Sequence, residues 1–227
     1  MAYRILLCAV FGSAVCQAEP YWIRYDAALG LFPEQDGWTR YASDPPAERW
    51  LEDGKLFIDS RADWFITEQY GEFRPGMTTL NPGETFLMHW RVKVDQIIGY
   101  ADPGVGVQSE DQHLIILKMG MDFIELAYGD TRATFAPGEW HEFELRSANM
   151  TDYELWVDGV FGFSAAALDD TPGTPTVAWG DLSSHCSLSE WDYFEFGVVP
   201  EPSGALLLLA TCAACLLKCS AGRRGRI

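Results

Sequence analysis

The sequence predicts an all-β protein, an antiparallel sandwich or barrel. Three observations carry this. Short runs alternate apolar and polar residues, as in His141-Glu-Phe-Glu-Leu-Arg146. Turn pairs punctuate the runs: Pro82-Gly83, Pro103-Gly104, Gly129-Asp130, Pro137-Gly138 and Pro172-Gly173. No long stretch carries the apolar period of a helix. Regular strands with turn punctuation mean a sandwich or barrel.

The elements follow in order. Residues 19–53 are irregular and proline-bearing, and are expected to form an N-terminal strand with a wrapping loop. Lys55–Asp59 follows the turn Glu52-Asp53-Gly54 and reads as a strand. Thr85–Val94 alternates over its second half. His113–Met119, Phe123–Tyr128 and Thr131–Ala136 are short apolar or alternating runs. In His141–Arg146, Phe143 and Leu145 face in, while Glu142, Glu144 and Arg146 face out. Tyr153–Val157 and Val160–Phe163 flank Asp158-Gly159, the strongest hairpin signal in the chain. Trp191–Gly197 closes the series.

The two ends read as addresses. Met1–Ala18 has Arg4 as its only charge, an apolar stretch from Ile5 to Val15, and small residues before a cleavage point between Ala18 and Glu19. This is the pattern of a secretory signal peptide. Lipidation at Cys16 is disfavoured by the bulk of Val15 before it. At the other end stand Pro200-Glu201-Pro202, an uncharged apolar run over 204–217, and a basic close of Lys218, Arg223, Arg224 and Arg226. The order suits a membrane segment stopped by positive charge on the cytoplasmic side. The run is short against the roughly 20 residues of a stable span. The expected divisions are a signal peptide over 1–18, a β-sandwich domain over 19–199, and a sorting tail with a short apolar helix over 200–227.

This tail resembles the PEP-CTERM sorting signal of exported proteins in Gram-negative bacteria that make extracellular polysaccharide. The resemblance implies an exosortase partner, transient membrane anchoring, and delivery to the cell surface or extracellular matrix.

Charge excludes some partners. Sixteen Lys and Arg include five in the two ends, leaving eleven against all thirty-three Asp and Glu. A net charge of −22 between Glu19 and Glu201 makes nucleic acid and anionic lipid poor partners. Of the six cysteines only Cys186 lies in the domain, so no disulfide framework forms within it. Cys212 and Cys215 have CxxC spacing inside the apolar tail, where redox or metal chemistry is not expected.

Three segments carry a second resemblance: Pro137-Gly-Glu-Trp-His-Glu-Phe-Glu-Leu145, Tyr153-Glu-Leu-Trp-Val-Asp-Gly-Val160, and Trp191-Asp-Tyr-Phe-Glu-Phe-Gly197. Together they resemble the concanavalin A-like jelly roll, including its laminin G-like members. That fold hosts lectins, glycosidases and adhesive modules, so it fixes no activity.

Glu190-Trp-Asp192-Tyr-Phe-Glu195 is similar to the catalytic pattern of laminarinase-type glycosidases. The similarity implies Glu190 as nucleophile, Glu195 as acid/base and Asp192 as the residue tuning them. On a regular strand Glu190 and Asp192 share a face and Glu195 points away, unless a bulge shifts the register. The motif also comes last in the chain, where the enzymes place it on a central strand. The reading is therefore a non-catalytic protein that binds glycan or builds matrix, with a glycoside hydrolase and a purely structural surface protein as rivals. The jelly-roll resemblance also implies a structural calcium ion where first and last strands meet, held by Asp192 and Asp26.

Other candidates are weaker. His89, His113, His141 and His185 show no metal-ligand spacing. Trp64, Tyr70, Phe73, Tyr100 and Trp179 could offer flat faces to sugars, though such rings more often fill a core. No Gly-x-Ser-x-Gly elbow occurs.

Overall fold

The structure, a computed structural model, describes residues 21–200 apart from 64, 74, 75, 77, 170 and 183–185. The expected signal peptide with its cleavage point at Ala18 and Glu19, the expected sorting tail from Glu201 and Pro202 through Arg223, Arg224 and Arg226, and Trp64 and His185 lie outside the described residues. Among the described residues no helix is long and apolar enough to cross a membrane.

Among the described residues fifteen strands follow one another: β1 (Tyr21–Asp26), β2 (Thr39–Ala42), β3 (Glu48–Glu52), β4 (Lys55–Asp59), β5 (Glu68–Glu72), β6 (Glu84–Ile98), β7 (Gly104–Gln108), β8 (Leu114–Met119), β9 (Phe123–Leu126), β10 (Arg132–Thr134), β11 (His141–Ser147), β12 (Asp152–Val157), β13 (Val160–Ala166), β14 (Thr176–Asp181) and β15 (Cys186–Pro200). An eight-stranded sheet has the order β13-β12-β11-β6-β15-β4-β3, with β1 also paired to β15. A seven-stranded sheet has the order β10-β9-β8-β7-β14-β5-β2. Every pairing is antiparallel. The chain is an antiparallel jelly-roll sandwich: its patterning predicts a sandwich or barrel, and the resemblance of its three segments implies the jelly roll.

The hairpin at Asp158-Gly159 shows why local sequence succeeds. Both residues have positive φ, 51° and 74°, the backbone that a two-residue hairpin turn demands. The core is where the two inner faces meet, and it is aromatic. Trp179 of β14 packs 4.9 Å from Trp191 of β15 and 5.4 Å from Phe194, ring centre to ring centre. Tyr25, Tyr70 and Trp38 complete its shell. Tyr70 and Trp179 are thus core residues and not sugar platforms, whereas Phe73 and Tyr100 are about half exposed.

The N-terminal segment is more ordered than expected. It contributes β2 and β3, one to each sheet. Its polar side chains explain this. Glu68 is fully buried, and its carboxylate accepts from Arg40 Nε (2.5 Å) and Nη2 (2.8 Å) and from the Tyr70 hydroxyl (2.9 Å). Arg49 of β3 donates to the same Tyr70 hydroxyl and to Glu34. A buried carboxylate needs such company. The strands β2 and β3 bring it.

Candidate functional site

The outer face of the eight-stranded sheet gathers the motif residues, and a bulge is the reason. β15 pairs with β6 over its whole length, with register shifts at Leu188/Ser189 and at Trp191/Tyr193. Asp192 is the extra residue at the second shift and has no partner on β6, β4 or β1. Before it, Ser189 and Trp191 are buried; after it, Phe194 and Phe196 are. The side-chain alternation has therefore flipped. Glu190, Asp192, Tyr193 and Glu195 all end on the outer face. The motif is also spatially central, because β15 runs between β6 on one side and β4 followed by β1 on the other. The last of the described strands is not the edge of the sheet.

Register lines the outer face up in cross-strand rows. One row runs Trp156, Glu144, His89, Glu195, Arg24 across β12, β11, β6, β15 and β1. The next runs Glu142, Arg91, Tyr193, Asp26. A third runs Lys93, Glu190, Phe57, Trp50, with the last two rings stacked at 4.9 Å. Trp140, just before β11, lies beneath both Lys55 Nζ (4.9 Å) and the Arg91 guanidinium (5.2 Å).

Each acid of the motif has a cation. Lys93 Nζ donates to Glu190 at 2.7 Å and pairs equally closely with Asp95. Asp192 holds Lys55 on one oxygen (2.5 Å) and Arg91 on the other (2.6 Å). Glu195 lies 3.3 Å from His89 Nδ1 and 3.5 Å from Arg24. His89 Nε2 meets Glu142 at 2.6 Å and the Tyr193 hydroxyl at 3.2 Å.

These contacts set the protonation preferences. Partial burial would raise the Asp192 carboxyl, but Lys55 and Arg91 outweigh it and hold it low. The hydrogen bond from His89 holds Glu195 low against its own burial. Burial works against the His89 imidazolium, yet Glu195 and Glu142 prevail and raise its pKa. Glu190 is pushed up, first by burial and then by Asp95, with Lys93 opposing. The order of Glu190 and Glu195 is the reverse of the nucleophile and acid/base assignment that the motif implies. A nucleophile needs the low value and an acid the high one.

The calcium expectation meets the same chemistry. Both Asp192 oxygens are taken by cations, and Asp26 accepts from Ala28 N and pairs with Arg24. Among the described residues no group of three or more His, Cys, Asp or Glu could hold a metal. Asp192 and Asp26 as found do not fit calcium, which wants six to eight oxygens. The other described histidines are also engaged: His113 pairs with Asp169, and His141 with Asp158 and the Ala136 carbonyl.

Sequence reasoning missed Lys55, Arg91, His89 and Glu142 as partners of the motif. Their signal is the cross-strand register, which local patterning does not carry.

No family model matches the chain, and no curated protein does. Solved structures do. The conserved carbohydrate esterase of the Shiga toxin-encoding bacteriophage phi24B is 12% identical over 79% of this chain and 98% of its own, with a TM-score of 0.58. A sialidase is 13% identical over 80% of this chain, TM-score 0.56, and this chain spans 18% of its length. A protein of unknown function from Shewanella oneidensis MR-1 is 12% identical over 89% of this chain and 96% of its own, TM-score 0.53. At such identities the likeness is one of fold, and the fold is the concanavalin A-like jelly roll.

Proposed function

We propose that this is an exported, non-catalytic glycan-binding protein that holds neutral polysaccharide on the outer face of its eight-stranded sheet. The observation that carries the reading is the bulge at Asp192, which sets four polar side chains of β15 on one face, each braced by a partner. Sugar sites combine fixed planar polar groups with aromatic surface, and Trp140, Tyr193 and Trp156 supply the latter here. Ion pairs fix the polar groups in advance of any ligand, which lowers the ordering cost of binding.

Charge favours a neutral polymer. Arg24, Lys55, Arg91, Lys93 and Arg146 each have a carboxylate within ion-pair distance. No cation among these is left over for a uronate or sulfate, and the domain as a whole repels polyanions. The signal peptide and the PEP-CTERM-like tail support export, processing by an exosortase, and life among extracellular polymer. The neighbouring carbohydrate esterase and sialidase accord with carbohydrate as the ligand class.

A second reading is a retaining glycoside hydrolase using Glu190 and Glu195. The same bulge favours it, since it brings both carboxyls to one face, and retaining chemistry needs two carboxyls about 5–5.5 Å apart. The cations on each acid speak against it. One experiment separates these readings from a purely structural protein: the exported protein is incubated with a panel of polysaccharides, and retention and reducing ends are scored together. Retention without reducing ends supports the proposal. Reducing ends support the hydrolase. Neither leaves the structural role.

A further inference from the structure

Beside the rows lies a cavity of about 170 Å³ bordered by His89, Glu142, Glu144, Arg146, Trp156 and Gly159. It is smaller than the roughly 300 Å³ at which drug-sized ligand pockets begin, and corresponds to the share of about five or six waters. That is room for a single sugar ring. Trp156 forms a wall that carries Arg146 over its ring at 5.1 Å.

His89 stands at the border of this cavity with an acceptor on each nitrogen: Glu195 at Nδ1 (3.3 Å) and Glu142 at Nε2 (2.6 Å). An imidazolium donates to both and closes the site on itself. A neutral imidazole has one N–H. If it stays on Nδ1 toward Glu195, then Nε2 and the Glu142 carboxylate become two acceptors side by side, and the one hydroxyl proton of Tyr193, 3.2 Å from Nε2, can serve only one of them. Two adjacent acceptors call for hydroxyl donors, which the neighbouring hydroxyls of a hexose supply.

We infer that this cavity is a subsite for one neutral hexose ring and that His89 opens it when it loses its proton. The inference rests on the glycan-binding reading of the face. The groups around His89 set the direction. Glu142 and Glu144 of β11 and Glu195 of β15 favour the imidazolium, Arg91 and Arg24 oppose it, Tyr193 is neutral, and Arg146 sits across the cavity on Glu144. The balance keeps the proton above the ordinary histidine range. Binding therefore strengthens as pH rises through that value. By linkage, bound sugar lowers the pKa of His89.

The test uses the exported protein with a neutral β-glucan and with methyl glucoside. Retention on the glucan is expected to rise about tenfold between pH 6 and pH 9, the factor given by a coupling of one pKa unit. The His89→Gln variant is expected to bind independently of pH. In the wild type, methyl glucoside is expected to lower the pKa of His89 followed by imidazole NMR, a readout that needs no variant to fold. Glucan retained equally at both pH values, or a His89 pKa indifferent to methyl glucoside, would overturn the subsite while leaving the face reading intact. Retention of no polymer at any pH would sink the face reading, and the subsite with it.

Discussion

Lys55 Nζ lies 2.5 Å from Asp192 Oδ1 at the point where β15 exchanges β4 for β1 as its neighbour. Arg91 takes the other oxygen from β6. Asp192 has no register partner on β6, β4 or β1, and its side chain does the joining: one carboxylate ties three strands at the bulge.

Asp192→Asn is expected to cost about 1–2 kcal/mol, within the range for charge-assisted hydrogen bonds that are partly solvated. The loss is expected to be the same in millimolar calcium and in chelator. The folded-state pKa of Asp192 is depressed, so its contribution is present above the unfolded value of about 3.9 and fades as pH falls through the folded value. Urea unfolding of both proteins at neutral and acid pH checks this. A wild-type melting temperature that climbs with calcium, and a variant that does not climb, would restore Asp192 as a calcium ligand.

Trp179→Ala is expected to destabilise the fold by about 3–5 kcal/mol, the cost of removing a large buried ring. Trp179 touches aromatic rings from both sheets. Chemical denaturation measures the loss. A change under about 1 kcal/mol would mean that the sheets do not depend on this contact.

Glu190→Gln and Glu195→Gln are expected to release no fewer reducing ends than the wild type, because none are expected from either. Cleavage by the wild type, abolished in one of these variants, would instead establish the hydrolase. Glu195→Gln also removes the negative charge beside His89 Nδ1, so the imidazole pKa is expected to fall by NMR titration.

Much of the fold was readable. β11 follows from strict alternation, and β12 and β13 from the Asp158-Gly159 turn between them. β7 was not, because Gly-Val-Gly-Val-Gln is buried on both faces and shows no alternation. Its first glycine is required: a Cβ on Gly104 would sit 2.6 Å from the Leu117 carbonyl oxygen. β2 and β3 were hidden because their arginines turn toward the Glu68 network rather than to solvent. The motif Glu190–Glu195 was visible as letters, and its need for a bulge was visible too. Whether the bulge exists depends on the register with β6. The central place of β15 depends on topology, which sequence order conceals.

The ends of the chain give a separate expectation. Intact-mass analysis of the protein from a host with an exosortase is expected to show an N-terminus at Glu19 and loss of the apolar segment after Pro202. A surface protein that keeps residues 204–227 would be a simple anchored one.

The most direct measurement of the central claim is retention of the protein on neutral and on uronate polysaccharides, wild type beside Trp140→Ala. Trp140 supports Lys55 and Arg91 on the proposed binding face. The account predicts retention by a neutral polymer, little by the uronate, and a loss of roughly tenfold in the variant, the worth of about 1.4 kcal/mol. Retention by the uronate alone, or retention that the variant leaves untouched, would contradict it.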